Sequence, residues 1–356
     1  MLQQNIELNG KKILVTGAAG FIGSNLCKEL LGKTKDSIIV GLDNMNDYYD
    51  VSIKEYRLNE LDRLSSASSW KFVKADLSDK TAIDALFDEY RFDVVVNLAA
   101  QAGVRYSIDH PEVYIESNII GFFNILEACR NHPVEHLVYA SSSSVYGGNT
   151  KIPFSADDQV DHPVSLYAAT KKSNELMAHC YSKLYNIPST GLRFFTVYGP
   201  AGRPDMAYFG FTNKLINGET IKIFNYGNCK RDFTYVDDIV NGIARVMQCA
   251  PEKKNGEDGL PLPPYRIYNI GNSNPENLLD FVQILCEELV RANVLPEDYD
   301  FEAHKQLVPM QAGDVPVTYA DTSALEKDFG FKPATSLRDG LRKFAEWYYK
   351  FYCIEK

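Results

Sequence analysis

The chain has 356 residues, of which 45% are hydrophobic and 24% are charged, a composition typical of globular domains. This length predicts one large domain or two fused domains. A net charge of -10 argues against a general nucleic-acid surface, and no apolar run reaches the roughly 18 residues of a membrane span. Seven cysteines without Cys-x-x-Cys spacing, and a start unlike a secretory signal, predict a reduced cytoplasmic protein without zinc or disulfides.

The first apolar segment leads directly into a glycine-rich turn. Lys12–Thr16 predicts a buried parallel strand, Gly17, Gly20 and Gly23 follow, and a helical pattern extends to Leu31. Glycines at a strand-to-helix turn let the backbone approach a diphosphate, which the free N–H groups of the helix then bind. This succession of strand, glycine-rich turn and helix predicts a dinucleotide site. The alternative is an incidental glycine-rich turn.

The second strand, Ser37–Leu42, ends at an acidic residue. Asp43 lies 20 residues after Gly23, about where a carboxylate meets the adenosine ribose of a dinucleotide. Such a carboxylate accepts both ribose hydroxyls and repels a 2′-phosphate, and positions 42–46 contain no arginine or lysine. We therefore expect NAD rather than NADP. The alternative is that Asp43 caps a helix.

Strands and helices alternate through the next hundred residues. The predicted elements are strand Trp70–Leu77, helix Ser78–Tyr90, strand Phe92–Asn97, helix Pro111–Arg130, strand His136–Ala140, helix Leu166–Tyr185 and strand Ser189–Phe195. This alternation predicts a doubly wound parallel sheet, in which ligands bind at the carboxyl ends of the strands. The helices Pro111–Arg130 and Leu166–Tyr185 carry apolar residues beyond one stripe, which indicates burial on two sides.

After Thr196 the pattern changes. The predicted elements are helix Asp205–Asn217, strand Ile221–Phe224, polar loop Asn225–Asp232, helix Val236–Gln248, exposed insertion Pro251–Pro264, a seventh strand of the first sheet at Tyr265–Ile270, and helices near 276–291 and 336–351. The fold class is therefore α/β, a Rossmann-type doubly wound parallel sheet with a smaller C-terminal α/β substrate-binding domain. We expect 1–195, 233–250 and 265–271 to form the first domain, and 196–232 and 272–356 to form the second.

A tyrosine and a lysine lie on one face of the helix Leu166–Tyr185. Tyr167 and Lys171 are four residues apart, and a lysine ammonium favours the phenolate of a neighbouring tyrosine. Ser142 follows the fifth strand, where its hydroxyl could bridge a substrate hydroxyl to the phenol. Together they predict a site that takes a proton from an alcohol while a hydride leaves its carbon. By itself, the Tyr-x-x-x-Lys spacing is weak evidence, because it more often reflects a surface lysine beside a packed tyrosine.

These residues together resemble the extended short-chain dehydrogenase/reductases, which include nucleotide-sugar epimerases, dehydratases and decarboxylases. The resemblance covers nearly the whole chain and is closest to the branch that acts on UDP-glucuronate. It is carried by Asp43–Asp50, Ala99–Tyr106, Ser141–Gly148, Gly191–Pro200, Gly202–Met206 and Arg231–Asp238. The resemblance implies NAD-dependent C4 epimerisation of UDP-glucuronate to UDP-galacturonate through a 4-keto intermediate. It also implies a homodimer formed by helices Pro111–Arg130 and Leu166–Tyr185.

The same resemblance implies three sets of site residues and no metal. The catalytic residues would be Ser142, Tyr167 and Lys171. The NAD-binding residues would be Gly17, Gly20, Phe21, Ile22, Gly23, Asp43, Asn44, Asp76, Leu77, Leu98, Ala99, Ala100, Tyr167 and Lys171. The substrate-binding residues would be Arg105, Ser141, Ser142, Ser143, Tyr167, Thr196, Arg203 and Arg231.

Departures from the family pattern leave alternatives open. Dehydratases carry an Asp-Glu pair after the catalytic hydroxyl residue and decarboxylases a glutamate, whereas this chain has Ser143 and Ser144. Ala201 replaces a tryptophan of uronate-type relatives. UDP-galactose relatives have an arginine before Gly-Asp that is expected to touch the diphosphate, whereas this chain has Gln311-Ala312-Gly313-Asp314, so either Arg231 takes more of that role or another cation contributes. A decarboxylase, a neutral UDP-sugar 4-epimerase and a non-enzymatic NAD-binding regulator are the alternatives.

Overall fold

The computed structural model describes residues 1–256, 258–310 and 316–352. The strands are β1 Lys12–Thr16, β2 Ile38–Asp43, β3 Ser69–Lys74, β4 Val94–Asn97, β5 His136–Ser142, β6 Ser189–Phe194, β7 Thr196–Tyr198, β8 Ile221–Ile223, β9 Lys230–Tyr235, β10 Lys254–Asn255, β11 Pro261–Leu262, β12 Tyr265–Ile270, β13 Pro275–Asn277 and β14 Lys305–Leu307. The helices are α1 Phe21–Lys33, α2 Val51–Asp62, α3 Lys80–Tyr90, α4 Tyr106–Asp109, α5 Pro111–Tyr114, α6 Gly121–Asn131, α7 Leu166–Tyr185, α8 Ala207–Ile216, α9 Val236–Met247, α10 Leu278–Arg291, α11 Ser323–Phe329 and α12 Leu337–Tyr352.

Seven parallel strands form the main sheet, in the order β12-β6-β5-β4-β1-β2-β3. The chain starts in the middle at β1, builds outward to β3, returns to β4 and then builds to the opposite edge. The predicted doubly wound sheet is therefore confirmed, and so is the seventh strand at Tyr265–Ile270, which pairs with β6. The reversal of strand order between β1 and β4 opens a crevice at the carboxyl edge of the sheet.

Helices cover both faces of this sheet because its central strands are apolar on both sides. In β1, Ile13 and Val15 join a core on one face, where α1 packs against α9. Leu14 joins a second core on the other face, where α3 packs against α6 and α6 against α7. Alternate side chains of a strand point to opposite faces, so one short run supports both layers.

A smaller second region lies beyond β6. It contains a three-stranded sheet in the order β13-β9-β7 and a two-stranded sheet of β14 and β8. Helix α10 packs against α8 and α12. The ring centres of Phe209, Phe344 and Trp347 lie 5.6 to 6.1 Å apart, and these aromatic side chains pack in the core of this region. Among the helices of the described residues, none combines the length and apolar character needed to cross a bilayer.

The structure corrects several predicted elements. The segment predicted as a polar loop to Asp232 instead begins strand β9 at Lys230, because Asp232 is buried and accepts backbone N–H groups of Asn272, Ser273 and Ala320. The expected exposed insertion contains the hairpin β10–β11.

The predicted long helix is not uniform. It consists of α5, a π-helical segment at Ile115–Ile120, and α6. Helix α2, which has no amphipathic apolar stripe, was not predicted at all. Both differences affect the site, because the π-helical segment and α2 supply buried polar side chains next to it.

Candidate functional site

A deep cleft follows the carboxyl ends of β1, β2, β4, β5 and β6. Its predicted lining residues are Gly17, Gly20, Phe21, Ile22, Gly23, Asp43, Asn44, Asp76, Leu77, Leu98, Ala99, Ala100, Ser141, Ser142, Tyr167, Lys171 and Arg203. One cleft thus joins the glycine-rich turn at one end to the Ser-Tyr-Lys group at the other. The first twelve are all of the predicted cofactor residues outside the Tyr-Lys pair.

The glycine-rich turn has the geometry of a diphosphate cradle. Gly17 has φ +70, and a Cβ there would lie 2.9 Å from the backbone nitrogen of Ala99. A Cβ at Gly23 would lie 2.1 Å from the carbonyl oxygen of Gly17. Helix α1 begins at Phe21 without a side-chain cap or an acidic first turn, so its first N–H groups remain available to an anion. The turn therefore fits a dinucleotide.

Asp43 ends β2 at the next strand of the cleft. Its carboxylate accepts the backbone N–H groups of Ala19 at 3.2 Å and Met45 at 2.9 Å. These bonds fix its orientation, and a carboxylate has further acceptor positions for ribose hydroxyls. Lys54 of α2 lies 3.8 Å from the same carboxylate and donates to the carbonyl and side-chain oxygens of Asn46, both at 2.8 Å. The structure therefore places a lysine near Asp43 that a search of positions 42–46 missed.

Asn44 and Asp76 meet across the ends of β2 and β3. The Asn44 amide donates to Asp76 at 2.8 Å, and both the backbone N–H and the hydroxyl of Ser78 donate to the other carboxylate oxygen. Burial raises the pKa of Asp76, but these hydrogen bonds outweigh it and hold the pKa below its ordinary value. This corner therefore offers an ionised acceptor beside the ribose-facing aspartate.

A buried asparagine joins the loop after β4 to helix α7. The side chain of Asn118 accepts from the backbone N–H of Gln101 at 2.8 Å and donates to its carbonyl oxygen at 3.0 Å. It also donates to the hydroxyl of Thr170 at 3.1 Å. Thr170 belongs to α7 and lies between Tyr167 and Lys171 in the sequence. Asn118 lies in the π-helical segment, whose wider turn is typical of functional sites. It thereby positions two walls of the cleft.

Ser142, Tyr167 and Lys171 come together at the far end of the cleft. Ser165 caps α7 by accepting from the N–H of Ala168, which starts the helix just before Tyr167. Lys171 is 4% exposed and donates to the carbonyl oxygen of Ala140 at 2.9 Å. Burial lowers the pKa of Lys171 to about 8. The ammonium therefore stays mostly charged at neutral pH.

The surroundings of the Tyr167 phenol shift its pKa in opposing directions. Burial raises its pKa above the ordinary value, while the hydroxyl of Ser142 and the charge of Arg203 lower it. Arg203 is thus a cation near the phenol, an effect that the sequence did not predict, while Lys171 donates to the carbonyl oxygen of Ala140 and its expected effect on the phenolate stays a prediction.

Arg203 belongs to the loop that follows β7 and faces the cleft. Its guanidinium binds Asp205 through two contacts of 3.0 Å and 2.5 Å, and the hydroxyl of Tyr48 donates to Asp205 at 3.2 Å. Arg203 is 25% exposed, so the loop presents a positive group that already has one carboxylate partner. Such an arginine can bind a second anion with its remaining N–H groups.

Ser141 uses its hydroxyl inside the protein. The hydroxyl donates to Glu175 at 2.7 Å, and Glu175 forms an ion pair with Arg193 at 2.8 Å and 2.9 Å. Both members of the pair are 2% exposed. A serine has one hydroxyl hydrogen, so in this arrangement Ser141 has none left for a substrate carboxylate. This differs from the expected donor role.

Four predicted substrate residues lie outside the lining of the cleft: Arg105, Ser143, Thr196 and Arg231. Arg105 is exposed, with its guanidinium 5.8 Å from the ring centre of Phe224. Arg231 donates to the carbonyl oxygens of Lys230 at 3.0 Å and Pro316 at 3.3 Å. Both arginines are therefore near the second region, and their substrate contacts remain predictions. The segment Gln311–Asp314, on which one argument for Arg231 depended, lies outside the described residues.

Several lining residues had been given no role. They are Leu42, Asn46, Tyr48, Tyr49, Lys54, Ala75, Gln101, Ala102, Ser117, Ala140, Phe194, Phe195, Val197 and Met206. Tyr48, Tyr49 and Lys54 follow β2. The paired tyrosines were a sequence signal for this part of the lining, because large aromatic side chains in a polar loop tend to pack against other groups. Asn118, which supports the lining, was also detectable as a polar residue inside an apolar helix. Among the described residues, no three His, Cys, Asp or Glu side chains are grouped to hold a metal ion.

A sequence model of the NAD dependent epimerase/dehydratase family matches residues 13–271. The chain belongs to this family. The match spans the main sheet from β1 to the residue after β12, so it contains the glycine-rich turn, the Ser-Tyr-Lys group and the cleft between them. NAD is therefore the cofactor, in agreement with the geometry of the turn and of Asp43.

Relatives in the epimerase/dehydratase family resemble this chain over nearly its whole length. "Protein CapI" of Staphylococcus aureus is 51% identical over 96% of this chain and 99% of its own. "UDP-glucuronate 4-epimerase 4" of Arabidopsis thaliana is 46% identical over 98% of this chain and 77% of its own. The crystal structure of UDP-glucuronic acid 4-epimerase from Bacillus cereus, with UDP-glucuronic acid and NAD, superposes with a TM-score of 0.81 at 32% identity, over 96% of this chain and 100% of that one.

Proposed function

We propose that this protein catalyses the NAD-dependent epimerisation of UDP-glucuronate at C4, giving UDP-galacturonate. The observation that carries the proposal is the single cleft that joins the diphosphate turn to Ser142, Tyr167 and Lys171. Such a cleft brings a sugar carbon next to a nicotinamide ring and a phenol. The 46% identity with an Arabidopsis UDP-glucuronate 4-epimerase supports the choice of sugar.

The chemistry needs a proton acceptor that also returns the proton. Bound NAD supplies reversible hydride acceptance at C4 of the sugar. Tyr167 takes the proton of the C4 hydroxyl, and Ser142, whose hydrogen bond lowers the pKa of the phenol, assists the transfer. Lys171 keeps the start of α7 against the end of β5 through its bond to Ala140. After the 4-keto sugar has turned over, the hydride would return to the opposite face of C4, and Tyr167 would return the proton to the C4 oxygen.

The cofactor is held by backbone groups and by two carboxylates. The N–H groups at the start of α1 would bind the diphosphate, Asp43 would accept the adenosine ribose hydroxyls, and Asp76 with Asn44 would contact the adenine side. Leu98, Ala99 and Ala100 leave room for the cofactor to lie across the end of β4. Arg203, which also lines the cleft, would supply the positive charge that binds the substrate carboxylate.

Two other reactions of the family fit the residues less well. Elimination of water and decarboxylation use acidic groups after the catalytic hydroxyl residue, whereas Ser142 is followed here by Ser143, Ser144 and Val145. Without an acid at these positions, the chain lacks the group that such relatives use to protonate or deprotonate the sugar during elimination or decarboxylation. A neutral UDP-sugar would leave Arg203 without an added anion.

Incubation with UDP-glucuronate tests the proposal. Proton NMR of the nucleotide sugar should show conversion at C4 to UDP-galacturonate, with no lasting rise in NADH absorbance. UDP-glucose, run in parallel, should be converted much more slowly. Accumulation of a UDP-pentose would identify a decarboxylase, and tight NAD binding without turnover of either sugar would indicate a binding protein.

We also propose that the protein is a cytoplasmic homodimer. Helices α6 and α7 expose large apolar side chains, among them Phe123 at 41%, Leu176 at 60% and Leu184 at 65%. A second copy related by a two-fold axis would cover them. The six described cysteines are free thiols, which supports a reducing compartment. The first region then serves NAD and the second the UDP-sugar, with the division at 1–195, 233–250 and 265–271 against 196–232 and 272–356.

The dimer has a direct test. Leu176→Glu should convert the protein to a monomer in light scattering at micromolar concentration, because a charge in an apolar interface is costly. Ile216→Glu is the matched control, since Ile216 is 40% exposed on α8, away from the proposed face. A wild-type monomer, or a dimer that tolerates Leu176→Glu unchanged, would contradict the proposed interface.

A further inference from the structure

Arg57 on helix α2 is one of the most buried charged residues of the molecule. It is 3% exposed and lies behind the wall of the cleft rather than in its lining. Its Nη1 donates to the carbonyl oxygen of Ala19 at 2.8 Å and to the hydroxyl of Tyr49 at 2.7 Å. Ala19 belongs to the glycine-rich turn, so one side of the guanidinium holds the diphosphate cradle.

The other side of the same guanidinium holds the loop that carries Arg203. Nε donates to the carbonyl oxygen of Ala201 at 2.9 Å, and Nη2 donates to Ala201 at 2.7 Å and to the carbonyl oxygen of Gly202 at 3.0 Å. Arg57 therefore bridges two segments that are far apart along the chain and that both contribute residues to the lining of one cleft.

All five hydrogen bonds of Arg57 go to neutral oxygen atoms. A buried charge without a carboxylate partner is costly unless its hydrogen bonds are complete. Here a guanidinium has five N–H groups, and each finds an acceptor. A lysine has three donors on one nitrogen and cannot span acceptors on both sides. The position thus requires the width of arginine, not only its charge.

The loop that Arg57 holds has a backbone conformation that needs support. Ala201 has φ +49, in the left-handed region, although it is not glycine, and it is 8% exposed. Such a conformation costs an alanine roughly 1 kcal/mol, which two hydrogen bonds to its carbonyl oxygen can offset. Two residues later, Arg203 faces the cleft beside the Tyr167 phenol.

We propose that Arg57 is a positioning residue for the substrate: it fixes the loop Gly199–Met206 against the glycine-rich turn so that Arg203 faces the sugar. This inference rests on the proposed function in naming UDP-glucuronate as the ligand. Because one guanidinium binds both segments, the position of the loop Gly199–Met206 also depends on the position of the glycine-rich turn.

Arg57→Lys is the decisive variant, and Arg63→Lys is its matched control. Arg63 follows the same helix, but its side chain is 77% exposed. Arg57→Lys should raise KM for UDP-glucuronate roughly tenfold, because several hydrogen bonds to a charged donor are lost. Bound NAD should change much less, because the diphosphate is bound by the N–H groups at the start of α1 and not by the carbonyl oxygen of Ala19. The dissociation constant of UDP, which lacks the sugar, should change little. Arg63→Lys should behave as the parent in all three measurements.

Hydrogen exchange separates this inference from the proposed function, since it needs no substrate. In the NAD-bound protein, Arg57→Lys should exchange the amides of 199–206 faster, while those of β1 and β4 keep their protection. Unchanged loop exchange in a folded Arg57→Lys protein overturns the inference, whatever the enzyme turns over. A fall in kcat with an unchanged KM and unchanged loop exchange would also overturn the inference. Arg57 would then support the fold without positioning the loop.

Tyr49→Phe supplies a milder variant if Arg57→Lys does not fold. It removes one of the five hydrogen bonds and keeps the ring on which Arg57 lies, 5.6 Å from the ring centre. Exchange in 199–206 should then rise by a smaller factor, about twofold to threefold. No change in that segment would contradict the bridge.

Discussion

The ammonium of Lys171 donates to the backbone carbonyl oxygen of Ala140 at 2.9 Å and so ties helix α7 to the strand that carries Ser142. The phenol of Tyr167 lies one helical turn away on the same face. This hydrogen bond fixes α7 relative to β5, so the position of Tyr167 near Ser142 does not depend on the protonation state of the phenol. Substitutions that keep the ring should leave the fold intact.

Tyr167→Phe should retain the fold and the bound NAD but lose epimerisation by about 10³-fold, because only the proton acceptor is removed. NMR of the C4 conversion and quantification of NAD after denaturation measure the two properties. Tyr185→Phe is the control on the same helix, since Tyr185 is 43% exposed at the far end. Turnover of Tyr167→Phe close to the parent rate would remove Tyr167 from the mechanism.

Glu175→Gln should destabilise the protein by about 3 kcal/mol in urea unfolding, because it leaves the buried guanidinium of Arg193 without its carboxylate. The pair has contacts of 2.8 Å and 2.9 Å, and Glu175 also accepts from Ser141. Glu60→Gln breaks the exposed pair with Arg63 and should cost about 0.5 kcal/mol or less. Equal effects of the two substitutions would contradict this ranking.

Stability should also fall with acid because of one histidine. His136 is fully buried, with its ring nitrogens 2.9 Å from the hydroxyl of Thr190 and 3.2 Å from the carbonyl oxygen of Met247. Burial lowers the pKa of His136 from 6.5 to about 4. As the pH falls, His136 therefore binds a proton in the unfolded chain before it does so in the folded protein. Its contribution to the free energy of unfolding is complete above pH 6.5 and is lost progressively as the pH falls toward 4.

From about pH 7 to about pH 5 this residue should remove about 2 kcal/mol from the free energy of unfolding. The difference between wild type and His136→Gln, measured by denaturant titration at both pH values, isolates that contribution. His162→Gln is the control, because His162 is exposed. A wild type and a His136→Gln variant with the same pH dependence would show that His136 is not responsible.

Local patterns in the sequence predicted most of the framework. β1 and α7 have the predicted bounds, and the predicted cofactor residues line one cleft, because a glycine turn, a strand-ending acid and a Tyr-x-x-x-Lys helix are all short-range signals. The family resemblance added the identity of the sugar, which no single spacing contains.

What could not be predicted depends on partners that are distant in the chain. Arg57 bonds to Ala201 across 144 residues, and the polar segment at Asp232 becomes a strand because distant N–H groups surround its carboxylate. Ser141 was expected to face the substrate, but Glu175, 34 residues later, accepts its hydroxyl. Side-chain direction at a strand end is decided by such tertiary contacts rather than by the strand pattern.

The remaining prediction concerns the carboxylate of the proposed substrate. Oxidation at C4 of a glucuronate makes a β-keto acid, which loses carbon dioxide when the breaking C–C bond aligns with the carbonyl π system. An epimerase must therefore hold the carboxylate out of that alignment while the ring turns over. Arg203 faces the cleft and acts on Tyr167, so it is the charged group placed to hold this anion.

Arg203→Ala should therefore raise the share of UDP-pentose relative to UDP-galacturonate, measured by NMR of the nucleotide sugars and by release of labelled carbon dioxide. Because the charge of Arg203 lowers the pKa of Tyr167, the same variant should need a higher pH for half-maximal kcat. Thr196→Ala, outside the lining of the cleft, should change the pentose share less. An Arg203→Ala enzyme that still binds UDP-glucuronate, forms NADH transiently and releases no more carbon dioxide than the parent would show that another group restrains the carboxylate.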